Sequence, residues 1–186
     1  GVKLWVFVFP EHRGKKPGDP PSCTDDDQST TVPKFANANP GGLTFYINLN
    51  RMPSNLNGDA VKGAVRDGFT AWSNTYFTVN DDTADWTGPA DDGKNLVGWA
   101  FIVPKTVLAA AWVWTDYNNT VLEADIFFNN QHPWGVFTTC NFQDRYEVGN
   151  VGTHEVGHVV GLDHLSDQGK LATMYPSAPT GEVRKR

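Results

Sequence analysis

The sequence predicts an α+β domain built around a mixed sheet, and three observations carry that prediction. Short aromatic and β-branched runs are separated by polar, turn-rich linkers. Two other stretches repeat small and apolar residues at three- and four-residue spacing, the mark of a helix face. The order is strand, helix, several strands, helix, which is not the regular alternation of a parallel α/β sheet. Residues 1–42 precede this pattern. Beyond an apolar run at 2–9 they hold Pro10, Gly14, Pro17, Gly18, Pro20, Pro21, Pro33, Pro40, Gly41 and Gly42, with Asp25, Asp26 and Asp27 between. They are expected to form an N-terminal strand and a Pro/Gly-rich arm packed on a single globular unit spanning 43–186.

Residues 43–49 (LTFYINL) read as the first strand of that unit. From Asp59, taken as the N-cap, Val61, Ala64, Val65, Gly68, Phe69 and Trp72 line one face of a helix of about four turns. A short run at 76–79 leads into a polar stretch at 80–94 that carries Asp81, Asp82, Asp85, Asp91 and Asp92. Strand-like runs follow at 96–103, 108–114 and 122–128. Residues 116–120 (DYNNT) suit a hairpin between the last two. A second helix is expected to begin near Gly149 or Asn150 and to end near Val160.

A chain of 186 residues with 39% hydrophobic content is long and apolar enough to bury one sizeable core. Its longest apolar runs are far shorter than the roughly 20 residues that span a bilayer. A net charge of −6 argues against nucleic acid or an anionic membrane as partners, and a monomer is expected. The run at 2–9 lacks the basic flank and small-residue cleavage site of a signal peptide, so any leader is expected to have been removed already, or the chain is a fragment. Two cysteines, Cys23 and Cys140, are too few for a cysteine-rich zinc site. A disulfide between them would close a loop of roughly 118 residues, contribute roughly 4–5 kcal/mol and imply an oxidising compartment. Free thiols are the other reading.

Chemistry concentrates in residues 154–164, HEVGHVVGLDH. His154 and His158 are four apart, so on a helix their imidazoles leave the same face one turn apart, as neighbouring ligands of a tetrahedral metal require. Glu155 lies between them, able to reach a water at the metal without being a ligand. Gly161 can adopt positive φ and end the helix, so that His164 returns as a third ligand. Three imidazoles leave one coordination position open, the pattern of a catalytic zinc. Glu155 is then placed to exchange a proton with that water.

HEVGHVVGLDH resembles the signature of the metzincin zinc peptidases, and residues 172–176 (ATMYP) resemble the Met-turn beneath their zinc. The Met174-Tyr175-Pro176 wording is similar to that of the matrixins. Residues 43–49 with the following helix, and 123–129 (EADIFFN), resemble elements of the same group, the latter in its bacterial members. The resemblance covers about residues 43–178. It implies a zincin fold, a twisted mixed sheet with two long helices and a cleft between an upper and a lower subdomain. It also implies a secreted zinc endopeptidase that acts on extended polypeptides.

Residue by residue, the resemblance makes His154, His158 and His164 the zinc ligands, Glu155 the catalytic carboxylate and Met174 an apolar floor. It places substrate along the 108–114 edge, where Ala109, Ala110 and Ala111 are small enough to admit another backbone, and against a wall at Pro176 and Ser177. Buried strand alanines are the alternative reading of those three. The resemblance also adds a third reading of Cys23, a thiolate on the zinc. No histidine-containing loop for a second zinc is present, since His132 is the only histidine between His12 and His154. One zinc is therefore expected. Asp81, Asp82, Asp85, Asp91, Asp92, Asp116, Glu123 and Asp125 are candidate calcium oxygens, with solvated turns as the alternative. The family's C-terminal helix is expected to lie past Arg186. A non-catalytic zinc-binding or adhesion module, and an aminopeptidase, are the competing functions. The first has no use for Glu155, and the second needs an acidic group for the substrate amine.

Overall fold

The fold is taken from a computed structural model, which describes residues 1–12, 31–73, 75–86, 88–137, 144–165 and 172–183. Eight strands and two helices appear in the order β1 (Lys3–Pro10), β2 (Leu43–Asn48), α1 (Gly58–Trp72), β3 (Phe77–Asp82), β4 (Asn95–Ala100), β5 (Val107–Thr115), β6 (Val121–Asn129), β7 (Trp134–Gly135), β8 (Tyr146–Glu147) and α2 (Val148–Val159). Six strands form one mixed sheet in the order β1-β5-β6-β4-β2-β3. β2, β3, β4 and β6 pair in parallel, while β5 is antiparallel to both β6 and β1. The short β7 and β8 form a separate parallel pair.

The core lies between one face of the sheet and the two helices. Phe45 and Ile47 of β2, Val97 and Trp99 of β4, Ala109, Ala111 and Val113 of β5, and Ala124, Ile126 and Phe128 of β6 meet Val61, Val65 and Phe69 of α1 and Val151, Val156 and Val159 of α2 in one buried cluster. The odd-numbered alanines of β5 point inward because strand side chains alternate faces. α1 begins two residues earlier than expected: Asn57, not Asp59, caps it, its side chain accepting from Ala60 N–H at 3.0 Å. Asp59 sits in the first turn, where its charge suits the helix dipole. Asp81 of β3 ties the sheet to α1 through Lys62 Nζ at 2.9 Å and Arg66 Nη2 at 2.5 Å.

The 116–120 linker is the expected hairpin turn. Asp116 Oδ1 accepts from Asn118 N–H and Thr120 N–H, both at 2.8 Å, and Asn119 takes φ 59°. Residues 31–42 cross from this hairpin to the end of α2. Asn37 N–H donates to Asn119 O at 2.7 Å, and Phe35 N–H donates to Gly161 O at 2.9 Å. The arm is thus bound to the domain along the part that is described.

Candidate active site

α2 carries the centre and is buried along its whole length. Glu147, itself buried, caps it and accepts from Asn150 N–H at 2.6 Å. Small residues let α1 and α2 approach closely: a Cβ on Gly68 would lie 3.1 Å from Thr153 N. Trp72 Nε1 donates to Thr153 O at 2.7 Å across the same contact. Gly161 ends the helix at φ 89°, where a Cβ would overlap the Ala36 carbonyl oxygen. That turn returns His164 to the helix face that carries His154 and His158.

The three Nε2 atoms form a nearly equilateral triangle, 3.1 Å between His154 and His164 and 3.2 Å for the other two pairs. Ligands about 2.0–2.1 Å from a tetrahedral zinc lie about 3.3–3.4 Å apart, so the triangle has the size of a zinc site. Its chemistry fits as well. His154 Nδ1 lies 2.6 Å from Thr173 O, and His158 Nδ1 lies 2.8 Å from Leu162 O. A carbonyl only accepts, so each Nδ1 carries the proton and each Nε2 presents a lone pair to the centre. Facing lone pairs do not hydrogen-bond to one another; a cation relieves them. Burial, reinforced by His164, pushes His158 down to about 3 against the pull of the Leu162 carbonyl. Burial lowers His164 too, partly opposed by Asp163. Both favour the neutral imidazole that a metal needs.

Glu155 follows His154 on the helix, fully buried, and among the described residues neither carboxylate oxygen has a hydrogen-bond partner. Burial alone pushes its carboxyl well above the ordinary range. Leaving a buried carboxylate without partners is costly, so this group is placed for something other than packing. Met174 is buried beneath the helix at a point where α2 has no side chain. A Cβ on Gly157 would overlap Met174 Sδ. Met174 O accepts from Leu165 N–H at 3.0 Å, which holds the segment after His164 to the floor.

A family model of the matrixins matches residues 36–185. The chain belongs to the matrixin family. Among similar proteins, matrix metalloproteinase-26 of Homo sapiens is 30% identical over 168 residues, which are 84% of this chain and 58% of that protein. Interstitial collagenase of Sus scrofa is 32% identical over 147 residues, 76% of this chain and 29% of that protein. The chain thus spans between about a third and three-fifths of the length of these relatives. The matrixin fold described here is of the α+β metzincin type, and its three histidines are suited to hold zinc.

The structure brings His154, His158, His164, Glu155 and Met174 of this matrixin together. Among the described residues, the histidines are also the one group of three or more metal-ligating side chains that converges. Several of the acidic residues expected as calcium oxygens bond to backbone N–H groups. Glu123 accepts from Asp92 N–H and Gly93 N–H, Asp125 from Ala90 N–H and Leu96 N–H, and Asp82 from Ala84 N–H. Cys23 and Cys140 both lie outside the described residues.

The largest departure concerns the substrate edge. Ala109, Ala110 and Ala111 were expected on an accessible strand edge, yet all three are buried, paired with β6 on one side and with β1 on the other. Phe7 of β1 stacks on His158 with ring centroids 4.1 Å apart, and Phe9 stacks on His154 at 3.9 Å. Composition alone does not reveal these contacts. The continuous apolar run at 2–9 signals a strand, but neither which face it buries nor the partner it finds.

Proposed function

We propose that this matrixin domain hydrolyses internal bonds of extended polypeptides outside the cell, using one zinc and Glu155. The observation that carries the reading is the buried, partnerless carboxylate of Glu155 one residue from His154, on the helix that gathers three imidazole lone pairs. Zinc held by these imidazoles supplies Lewis-acid polarisation of a substrate carbonyl and of water. Glu155 then has the chain's own share of the reaction. It accepts the proton of the attacking water on one carboxylate oxygen and delivers it to the departing amine nitrogen as the amide C–N bond breaks. Thr173 O and Leu162 O keep the two helical imidazoles in the tautomer and orientation that the site needs.

Substrate is read as a strand added to β5 at Ala109–Ala111, with its far side against Pro176 and Ser177. Backbone pairing along β5 gives affinity that tolerates varied sequence, in keeping with an endopeptidase. A location outside the cell is supported by the similarity to an interstitial collagenase. No described helix is long and apolar enough to cross a membrane.

The test pairs Glu155→Gln with zinc analysis on casein and internally quenched peptides. The variant should retain one zinc per chain and lose at least about 1000-fold in kcat/KM. A chelator should abolish wild-type cleavage and added zinc should restore it. Wild-type cleavage that survives complete zinc removal, or full activity in Glu155→Gln, would overturn the reading. Zinc binding with no cleavage of any internal bond would favour the non-catalytic module, and release of N-terminal residues alone would favour an aminopeptidase.

A further inference from the structure

A cavity of about 450 Å³ opens near the start of β5, lined by Lys105 and Thr106 there, by Gln131 and His132 after β6, by Tyr146 just before α2, and by Thr180 past the 176–178 wall. These residues come from four separate segments, so the cavity exists only in the folded domain. Its inner side is fixed. Tyr146 is buried, and its ring meets that of His132 edge-on with centroids 5.4 Å apart. Tyr146 N–H donates to Pro133 O at 2.8 Å, which pins the backbone beneath the ring. His132 Nε2 lies 3.0 Å from Val107 O, and since a carbonyl only accepts, that nitrogen carries the proton and anchors the imidazole to β5.

A carboxylate already shows which chemistry this space accepts. Glu11 also lines the cavity, and Tyr146 Oη donates to its Oε2 at 3.3 Å. Burial, and then the neighbouring Glu11 carboxylate, push the Tyr146 phenol up to about 12, so the hydroxyl remains a donor at neutral pH. Among the described lining residues Glu11 is the one acid and Lys105 the one lysine or arginine. Lys105 is exposed, so its positive charge sits where the cavity meets solvent. A fixed hydroxyl donor inside and an ammonium outside suit a carboxylate better than an apolar side chain. The backbone of Glu11 defines where such a group enters: its N–H donates to Thr106 O at 2.8 Å, and it bridges in parallel to Ala178. Side chains two apart on a strand share a face, and Phe9 stacks on His154 with centroids 3.9 Å apart. The cavity therefore receives the side chain two places beyond the one that meets His154. For a peptide running in this direction, that is the leaving-amine side of a bond held at the histidines.

We propose that this cavity is a specificity site that selects an acidic side chain of the substrate, glutamate above all, within about three residues on the C-terminal side of the cleaved bond. The proposal rests on reading the β5 edge and the 176–178 wall as the substrate track. Tyr146 and Lys105 are the selecting residues. Tyr146 gives a charge-assisted hydrogen bond from a desolvated position, a contact roughly twice as strong as a neutral one. Lys105 acts through solvent, so its share weakens as salt rises. Glutamine keeps the shape of glutamate and loses only the charge, so a Glu/Gln pair of substrates isolates what the cavity recognises.

The experiment uses the zinc-loaded full chain and internally quenched peptides of one neutral sequence in which a single Glu, or a single Gln, is stepped from position to position. Mass spectrometry reads the bond cut in each. Expected is a kcat/KM at least tenfold higher for Glu than for Gln at one position two or three residues past the cut, and a ratio near one elsewhere. That ratio should fall at least threefold in Tyr146→Phe and in Lys105→Glu, whatever the absolute rates, with circular dichroism confirming the fold. Binding is measured separately in zinc-loaded Glu155→Gln protein, from the anisotropy of labelled copies of the two peptides, and should show the same preference.

A Glu/Gln ratio near one at every position, or a preference that survives unchanged in both variants, would overturn the proposal, and so would the failure of either peptide to bind. Loss of the preference in one variant alone supports the site and assigns the selection to that residue. Lys105→Glu changes an exposed side chain, so it keeps the proposal testable if Tyr146→Phe does not fold. A binding preference for Glu with no cleavage of either peptide would support the cavity's role and count against the endopeptidase reading.

Discussion

α2 and β1 meet over the same three imidazoles from different sides, and they are held there in different ways. All twelve residues of α2 are buried, its N-terminus is capped by a buried carboxylate, and its small residues fit α1 on one side and Met174 on the other. β1 buries Phe9 fully but leaves its alternate side chains about half in solvent. The helix is fixed from every direction, whereas the strand is fixed along one edge and one face. A site that binds an ion must be rigid, while an edge strand held on one side opens at lower cost. Packing density is the physical variable that separates the two roles.

The largest effect should move both regions together. Burial raises the Asp125 carboxyl to about 7, against favourable bonds from Ala90 and Leu96 N–H, with the charges of Glu123 and Asp92 adding to the rise. Because the folded value lies above the unfolded one, the folded state keeps a proton that the unfolded state has lost. The contribution of Asp125 to stability is therefore greatest below about pH 4, falls as pH rises to about 7, and is flat above it. The span from 3.8 to about 7 sets a ceiling of about 4 kcal/mol. Urea unfolding from pH 4 to 8 should show this decline, and Asp125→Asn should flatten it apart from a constant offset for one lost backbone bond. Hydrogen exchange in α2 and β1 should respond in parallel; a response confined to β1 would break the argument that the sheet unfolds as one unit.

Gly157→Ala should act through the helix alone. Its new methyl overlaps Met174 Sδ, and the shift should cost about 1–3 kcal/mol in urea unfolding and weaken zinc retention. Phe7→Ala should act through the strand, speeding amide exchange in β1 at a cost of about 1 kcal/mol while leaving exchange in α2 unchanged. Equal acceleration in both would show that β1 is part of the rigid core. Asp81→Asn provides the baseline. Its carboxyl is held below the ordinary range by hydrogen bonds from Lys62 and Arg66, yet all three side chains are substantially exposed. The change in stability should stay under about 1 kcal/mol, with zinc content and peptide turnover unaltered.

Much of the centre was legible in the residues. Histidines four apart need only a helix to become neighbours, and Gly161 needs only its missing Cβ to turn the chain, so 154–164 encode their geometry locally. The hairpin at 116–120 and the helix face from Val61 to Trp72 were legible for the same reason. The α1 boundary was misplaced because Asn57 and Asp59 are both good caps, and only the backbone direction before the first turn selects between them. The candidate calcium residues illustrate another limit. A row of aspartates does not state whether a cation or backbone N–H groups will satisfy it. Here the loop at 90–96 folds onto Glu123 and Asp125 and supplies the donors itself.

The sequence by itself determined the metal chemistry, the family and most of the strands and helices, since each depends on residue types at short, fixed spacing. Only the tertiary structure decided what lies on the β5 edge. Residues 3–12 and 107–115 are about a hundred positions apart, and the apolar run at 2–9 does not say which strand it will pair with. Their pairing is settled by which edge remains open once β6 is in place, and by aromatic faces that fit over the imidazoles of His154 and His158. Such a match exists only after the chain has folded, because the edge and the imidazole faces come from three separate segments.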